Sequence, residues 1–183
     1  MKKLRKQLTE LAEQQALVRI DRKPLDPFNL YGFVLAVSKK LLLLQLVDGH
    51  TMTLNGYSVV RVADIRKVEL ETTFVPRALA QIGRWPTLPS DLNLTDWPSL
   101  LTSANHCFPL LTLKREKKQP SFCSIGQIER LTRSTAHLRL VDTQARWDDV
   151  EKFKLAELTQ VEFGDGYSAA IMAVLAPAEE GRE

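Results

Sequence analysis

The chain contains one pattern of residues twice. The segment GFVLAVSKKLLLLQLVD begins at Gly32, and GQIERLTRSTAHLRLVD begins 94 residues later at Gly126. At this spacing Leu44 aligns with Leu138, and conservative pairs fill the stretch between. Self-similarity at a fixed spacing marks a repeated structural unit, and two copies indicate tandem units instead of a long array.

The repeat continues further along the chain. VRVADIRKVEL from Val60 aligns with FKLAELTQVEF from Phe153 after one gap. Apolar residues alternate in the first copy at Leu42, Leu44 and Leu46, which is the two-residue period of a half-buried strand. The dipeptides DG and NG that follow are typical of tight turns. Short strands joined by such turns predict, in each copy, a small antiparallel sheet that curls into a barrel.

Helices are predicted at both ends of each copy. Leu4, Leu8 and Leu11 lie on one face of an amphipathic helix before the first copy, and LTDWPSLLTSAN is the equivalent segment before the second. FVPRALAQI and YSAAIMAVL are the matching short helices that follow the last strands. The predicted fold is mainly β with peripheral helices (α+β). Its units are a first barrel at residues 1–83, a proline-rich linker at 84–91, a second barrel at 92–176 and a flexible tail at 177–183.

A helix followed by five strands, with a one-turn helix before the last strand, resembles the Sm-like fold, a kind of SH3-like barrel. The endings VADIRKVEL and LAELTQVEFGDGY are also similar to those of uncharacterised bacterial proteins with tandem small barrels. Sm proteins bind uridine-rich RNA through an aspartate and a Met-Asn pair in one loop and an Arg-Gly pair in another. The corresponding loops here are SKK and TRST, then RVADI and KLAEL, and neither copy keeps those residues. The resemblance therefore implies a fold without the RNA site.

The cellular compartment of the protein is predicted from the absence of membrane-spanning, signal-peptide and disulfide patterns in the sequence. No segment approaches the ~20 apolar residues that cross a bilayer. The basic start MKKLRK is followed by polar residues and not by the apolar segment of a signal peptide. Cys107 and Cys123 are too few for a disulfide framework, and we expect both to be buried in a reducing environment. These features predict a cytoplasmic protein without membrane contact.

The ionisable residues of the sequence form no recognisable catalytic or metal-binding pattern. His50, His106 and His137 lie far apart in sequence, and none has another ligand at a metal-binding spacing. Nucleophile, zinc and phosphate-loop motifs do not occur. Asp148 and Asp149 are adjacent, and adjacent strand residues point to opposite faces, so we interpret the pair as a solvated turn. We predict no enzymatic activity, no metal and no cofactor.

Two sets of residues are candidates for contact with a partner. Tryptophan and arginine are enriched in interface hot spots, so Arg146 and Trp147, with Asp148 and Asp149, are the predicted contact with another protein. Residues 1–83 carry thirteen Lys or Arg against eight Asp or Glu, and we interpret the basic clusters of the chain as solvated faces, with phosphate binding as the alternative. The candidate nucleic-acid contacts are Lys2, Lys3, Lys39, Lys40, Lys117 and Lys118.

The leading hypothesis is a non-catalytic protein-binding module of the bacterial cytoplasm, acting as an adaptor or as an immunity-like inhibitor of a partner protein. The alternative is an RNA-binding Sm-like protein that uses the basic first barrel, with binding that weakens steeply as salt rises. A third hypothesis is assembly of the fused barrels into a ring. The sequence alone does not choose the partner or the oligomeric state.

Overall fold

The computed structural model describes residues 2–175 of the chain. Four helices in that range lie at the ends of the two sequence repeats: α1 (Lys2–Glu13), α2 (Val75–Gln81), α3 (Trp97–Cys107) and α4 (Gly166–Val174). The strands of the first repeat are β1 (Leu17–Asp21), β2 (Leu30–Val37), β3 (Leu41–Asp48), β4 (Thr53–Arg61) and β5 (Lys67–Leu70). Those of the second are β6 (Leu111–Lys114), β7 (Cys123–Leu131), β8 (Thr135–Val141), β9 (Trp147–Lys154) and β10 (Gln160–Phe163). One-turn 3-10 helices at Val62–Asp64 and Leu155–Glu157 precede β5 and β10.

The ten strands form one open antiparallel sheet in the order β5-β1-β2-β3-β4-β10-β6-β7-β8-β9. The mainly β class is confirmed, but the prediction of two tandem Sm-like or SH3-like closed barrels is wrong. Strand β10 of the second repeat pairs with β4 of the first, with Tyr57 opposite Phe163 and Val60 opposite Gln160. We call this pairing the seam. Backbone hydrogen bonds that would close a separate barrel join the two repeats instead.

Strand β3 shows why the two repeats share one core. Leu41, Leu42, Leu43 and Leu44 are each at most 1% exposed, so both faces of the strand are covered. Leu42 and Leu44 pack with Leu8 of α1, whereas Leu41 and Leu43 join a larger apolar cluster that includes α3 and the second repeat. A continuous apolar run suits a strand that lies between two layers, and the second repeat supplies part of one layer.

The segment between α2 and α3 is attached to the sheet of the first repeat. The Thr87 N–H donates to the Gln45 side chain at 2.7 Å, and the Thr87 carbonyl accepts from the Tyr57 hydroxyl at 3.0 Å. The division into units at residues 1–83, 84–91 and 92–176 stays a prediction. The tail predicted at residues 177–183 lies outside the described residues.

The glycine that begins each copy of the repeat is required by close strand packing. A Cβ at Gly32 would lie 2.5 Å from the carbonyl oxygen of Gln45 on β3. A Cβ at Gly126 would lie even closer to the carbonyl oxygen of Arg139 on β8. Because the obstructing atom is backbone in both cases, no side-chain movement relieves the overlap. The same contact therefore explains both glycines.

Both cysteines are exposed, whereas the tryptophans differ in exposure. Cys107 and Cys123 are both exposed, so the prediction that they are buried is wrong. Trp97 on α3 lies in the core, whereas Trp85 is 65% exposed.

No helix within residues 2–175 is long and apolar enough to cross a bilayer, and location in the cytoplasm stays a prediction.

Candidate functional site

A cleft of about 920 Å³ lies where the two repeats meet, and we call it the seam cleft. This volume is within the range of ~300–1,000 Å³ typical of ligand sites. Both repeats contribute loops and helix ends to its wall. Its cationic lining residues are Lys2, Arg5, Lys39, Lys40, Arg61 and Arg133, and Asp96 is the carboxylate among the lining residues. Six cations around one concavity make it a strongly basic site.

The turns before β3 and β8 place cations of both repeats at the cleft. In the first repeat the Ser38 hydroxyl accepts from the N–H of Lys40 at 3.1 Å, which tightens the turn and leaves Lys39 and Lys40 exposed. In the second, the Thr132 hydroxyl accepts from the next N–H groups in the same way, and Arg133 is exposed. The aligned residues of the repeat therefore form equivalent turns that face one cleft.

Helix α1 contributes its first turn. Leu8 is fully buried under the sheet of the first repeat, which fixes the helix against strands β1 to β4. Lys2 and Arg5 lie one turn apart on the same helix and line the cleft. Within residues 2–175, none of Lys2, Arg5, Lys39, Lys40 and Arg133 lies within 4.0 Å of a carboxylate. These five charges are thus available to a ligand.

Arg61 lines the cleft and bridges the seam. Its Nε is 2.6 Å from the Oδ2 of Asp64, and its Nη1 donates to the carbonyl of Ala156 in the second repeat at 3.4 Å. Its Nη2 is buried and has no hydrogen-bond partner among the described residues. A buried guanidinium nitrogen without an acceptor is energetically unfavourable.

Asp96 is engaged by helix α3 and contributes little to neutralising the cleft. Its carboxylate caps the helix by accepting from the N–H of Ser99 at 3.0 Å. That hydrogen bond, with a smaller effect of nearby Lys40, holds the pKa of Asp96 below its usual range. The floor of the cleft is apolar: Leu41, Val62, Ala63, Trp97, Pro98, Leu155 and Ala156. The cleft thus combines cations with an apolar surface.

The predicted nucleic-acid residues divide into two groups. Lys2, Lys39 and Lys40 line the seam cleft, and Lys3 is exposed on α1 without lining it. Lys117 lies 3.1 Å from Asp64, and Lys118 lies 3.3 Å from Glu157, so both are paired away from the cleft lining. The sequence therefore identified three of the six cationic lining residues.

The cationic lining residues that the prediction missed are Arg5, Arg61 and Arg133. Arg133 aligns with Lys39 in the repeat, so the repeat alignment contained a signal for it. Arg61 and Ala63 precede β5, and their part in the cleft depends on the seam, which no local pattern indicates. Arg5 shares a helix face with the predicted Lys2.

The predicted protein contact lies on β9, away from the cleft. Arg146 pairs with Asp142 at 2.8 Å, and the Trp147 ring lies under Arg139, whose guanidinium carbon is 5.0 Å from the ring centroid. Asp148 and Asp149 are exposed strand residues, so the solvated turn interpretation is wrong in its geometry. The contact with a partner stays a prediction.

Within residues 2–175 no group of three His, Cys, Asp or Glu side chains is arranged to hold a metal ion. No protein-family model matches the chain, and no curated protein matches its sequence significantly.

Proposed function

We propose that the chain binds single-stranded nucleic acid, RNA in the first place, in the seam cleft. The observation that carries the proposal is the convergence of five cations without a carboxylate partner, drawn from α1 and from two equivalent turns. Such a cluster attracts the phosphates of a nucleic acid whatever the base sequence. The release of counterions from the nucleic acid supplies most of the binding energy. The proposal assigns binding and no reaction to the chain.

The apolar floor favours a single strand over a duplex. A single strand can place an unstacked base against an apolar surface while its phosphates meet the surrounding cations. Trp97 and Pro98 form part of that surface at the start of α3. The cleft therefore suits both parts of a nucleotide.

The test is fluorescence anisotropy with a labelled mixed-sequence single-stranded RNA, titrated at several salt concentrations. Lys39→Ala with Lys40→Ala should weaken binding by roughly tenfold, because two charge-assisted phosphate contacts are lost. If both lysines contact phosphates, the salt slope should fall by about 1.4, since each contact on a single strand contributes about 0.7. Lys118→Ala with Lys152→Ala removes the same charge outside the cleft and is the matched control.

Two results would reject nucleic-acid binding at the cleft. One is equal weakening by the cleft and control variants, because that outcome describes a general effect of net charge. The other is affinity that does not change between low and high salt. A duplex of the same sequence serves as the competitor, and we expect it to displace the single strand poorly.

A second candidate function is the binding of another protein at β9. Strand β9 ends the sheet order, so one edge of its backbone has no neighbouring strand in the described part of the chain. Exposed strand edges accept added strands, and Trp147 and Arg146 are suited to an interface. A pull-down that recovers a protein with the wild type and with Phe122→Ala, but not with Trp147→Ala, would support it. Equal recovery with Trp147→Ala would reject it.

A further inference from the structure

The two free edges of the sheet are structurally equivalent to the two strands that pair at the seam. The first repeat has the strand order β5-β1-β2-β3-β4, and the second has the order β10-β6-β7-β8-β9. Strand β9 is thus the equivalent of β4, and β5 is the equivalent of β10. Strands β4 and β10 pair with each other, whereas β9 and β5 lie at opposite ends of the described sheet. We propose that β9 of one molecule pairs with β5 of a second copy of this chain, head to tail.

The apolar residues of these edges match those of the seam. Val150 has in β9 the position of Tyr57 in β4, and Leu70 has in β5 the position of Phe163 in β10. Tyr57 and Phe163 stack across the seam with ring centroids 5.7 Å apart. Val150 is 46% exposed and Leu70 is 55% exposed. Pairing the edges in the register of the seam places these two side chains opposite each other and removes apolar surface from water.

The charges on the two edges are compatible with this register. It places Glu69 opposite Glu151, and like charges in that position destabilise a strand pair. However, the Oε1 of Glu69 is 2.5 Å from the Nζ of Lys67, and the Oε1 of Glu151 is 2.6 Å from an Nη2 of Arg115. Each carboxylate therefore has a cation of its own molecule beside it, which offsets the repulsion.

The proposed contact has as many residue pairs as the seam, four, but lacks one close approach found beside the seam. At the seam, Gly56 passes so close to Asp165 that a Cβ would lie 2.7 Å from the Asp165 backbone nitrogen. Asp149 has the position of Gly56 in β9, and its side chain prevents an equally close approach. The pairing of residues 150–153 with Lys67–Leu70 therefore lacks the contact that Gly56 makes beside the seam, so we expect the association to be reversible and to depend on concentration.

A second copy is the occupant that the geometry specifies. The seam pairs β4 with β10, which are the equivalents of β9 and β5. It therefore shows that edges of these two kinds fit each other in strand direction, in register and in the residues that face each other. The inference names the partner of β9 within the second candidate function, and it does not depend on nucleic-acid binding, whose residues lie in the seam cleft. A strand from an unrelated partner would pair with β9 and leave the edge of β5 unpaired.

The test is sedimentation velocity of the purified full chain over a concentration series, without nucleic acid. We expect the average mass of the wild type to rise with concentration, and Val150→Asp and Leu70→Asp to stay monomeric. An equimolar mixture of the two variants retains one intact β9 and one intact β5, so it should form a dimer and nothing larger. Phe122→Asp changes an aromatic residue that is 55% exposed outside both edges, and it should associate like the wild type.

Three results would overturn the inference: a wild type that is monomeric at all concentrations, equal loss of association in Phe122→Asp, or Leu70→Asp that dimerises alone. The last result would show β9 pairing with β9. Circular dichroism establishes that each variant is folded, and Val150→Ser and Leu70→Ser replace any that is not. RNA anisotropy on the same variants separates the two proposals, since both edge variants should keep wild-type affinity.

Discussion

Arg22 and Glu116 lie 94 residues apart in sequence and form a buried bidentate ion pair between the two repeats. The Arg22 Nη1 is 2.8 Å from the Glu116 Oε2, and its Nη2 is 2.7 Å from the Oε1. The Arg22 side chain is fully buried and also donates to Gln160 of β10 and to Asp26. The pair therefore fixes the end of β1 against the second repeat beside the seam.

We expect Arg22→Ala to destabilise the chain by roughly 3–5 kcal/mol, because it leaves the carboxylate of Glu116 buried without its cation. The double variant Arg22→Met with Glu116→Leu should cost far less, since it removes both charges and fills the space. Urea denaturation measures both free energies of unfolding. A double variant as unstable as Arg22→Ala would show that the loss comes from packing and not from the unpaired charge.

Glu71 makes the stability depend on pH in the acid range. The hydrogen bond from the Thr73 N–H, with a further one from Arg19, lowers the pKa of Glu71 from its ordinary value of 4.5 to about 2. Because the folded pKa lies below the unfolded one, this stabilisation is complete above pH 4.5 and is lost as the pH falls towards 2. Thermal unfolding between these pH values should show a smaller decrease in Glu71→Gln than in the wild type. Equal decreases would contradict the assignment.

Gly32→Ala should destabilise the chain by about 1–3 kcal/mol or more, because the added Cβ overlaps a backbone oxygen of β3. Gly49→Ala is the matched control. Its Cβ would lie 3.5 Å from the Tyr31 ring, an ordinary contact, so it should cost much less. Thermal melting of the two variants checks the difference, and equal losses would show that backbone entropy, and not the close approach, determines the cost.

Two substitutions of Asp96 distinguish its function as a helix cap from its negative charge at the seam cleft. Asp96→Ser keeps a capping oxygen for the Ser99 N–H and removes the carboxylate of the cleft lining. We expect unchanged stability and RNA binding that is tighter by a few-fold. Asp96→Ala also loses the cap and should cost about 0.5–2 kcal/mol. Anisotropy and melting on both variants test the two effects separately, and weaker binding by Asp96→Ser would contradict the proposed role of the cleft.

Part of the site was predictable because its residues belong to local patterns. Lys39 and Lys40 form a basic pair in the turn between two alternating strands, and Lys2 lies in a basic cluster. Arg61 lacked such a pattern, since it ends a strand and meets Ala156 only through the seam. Lys117 and Lys118 belong to an equally basic run, but Asp64 and Glu157 neutralise them. A cluster in sequence therefore says little about which charges are available to a ligand.

The duplicated unit, the alternating strands and the flanking helices could all be predicted from sequence, because strand and helix periods are properties of neighbouring residues. That the units share one sheet became visible in the folded chain alone. Strand β4 joins β10 through backbone hydrogen bonds, which every residue except proline can form, so side-chain patterns do not specify which edges pair. The seam cleft and the buried Arg22 follow from that pairing, and sequence patterns therefore did not indicate them.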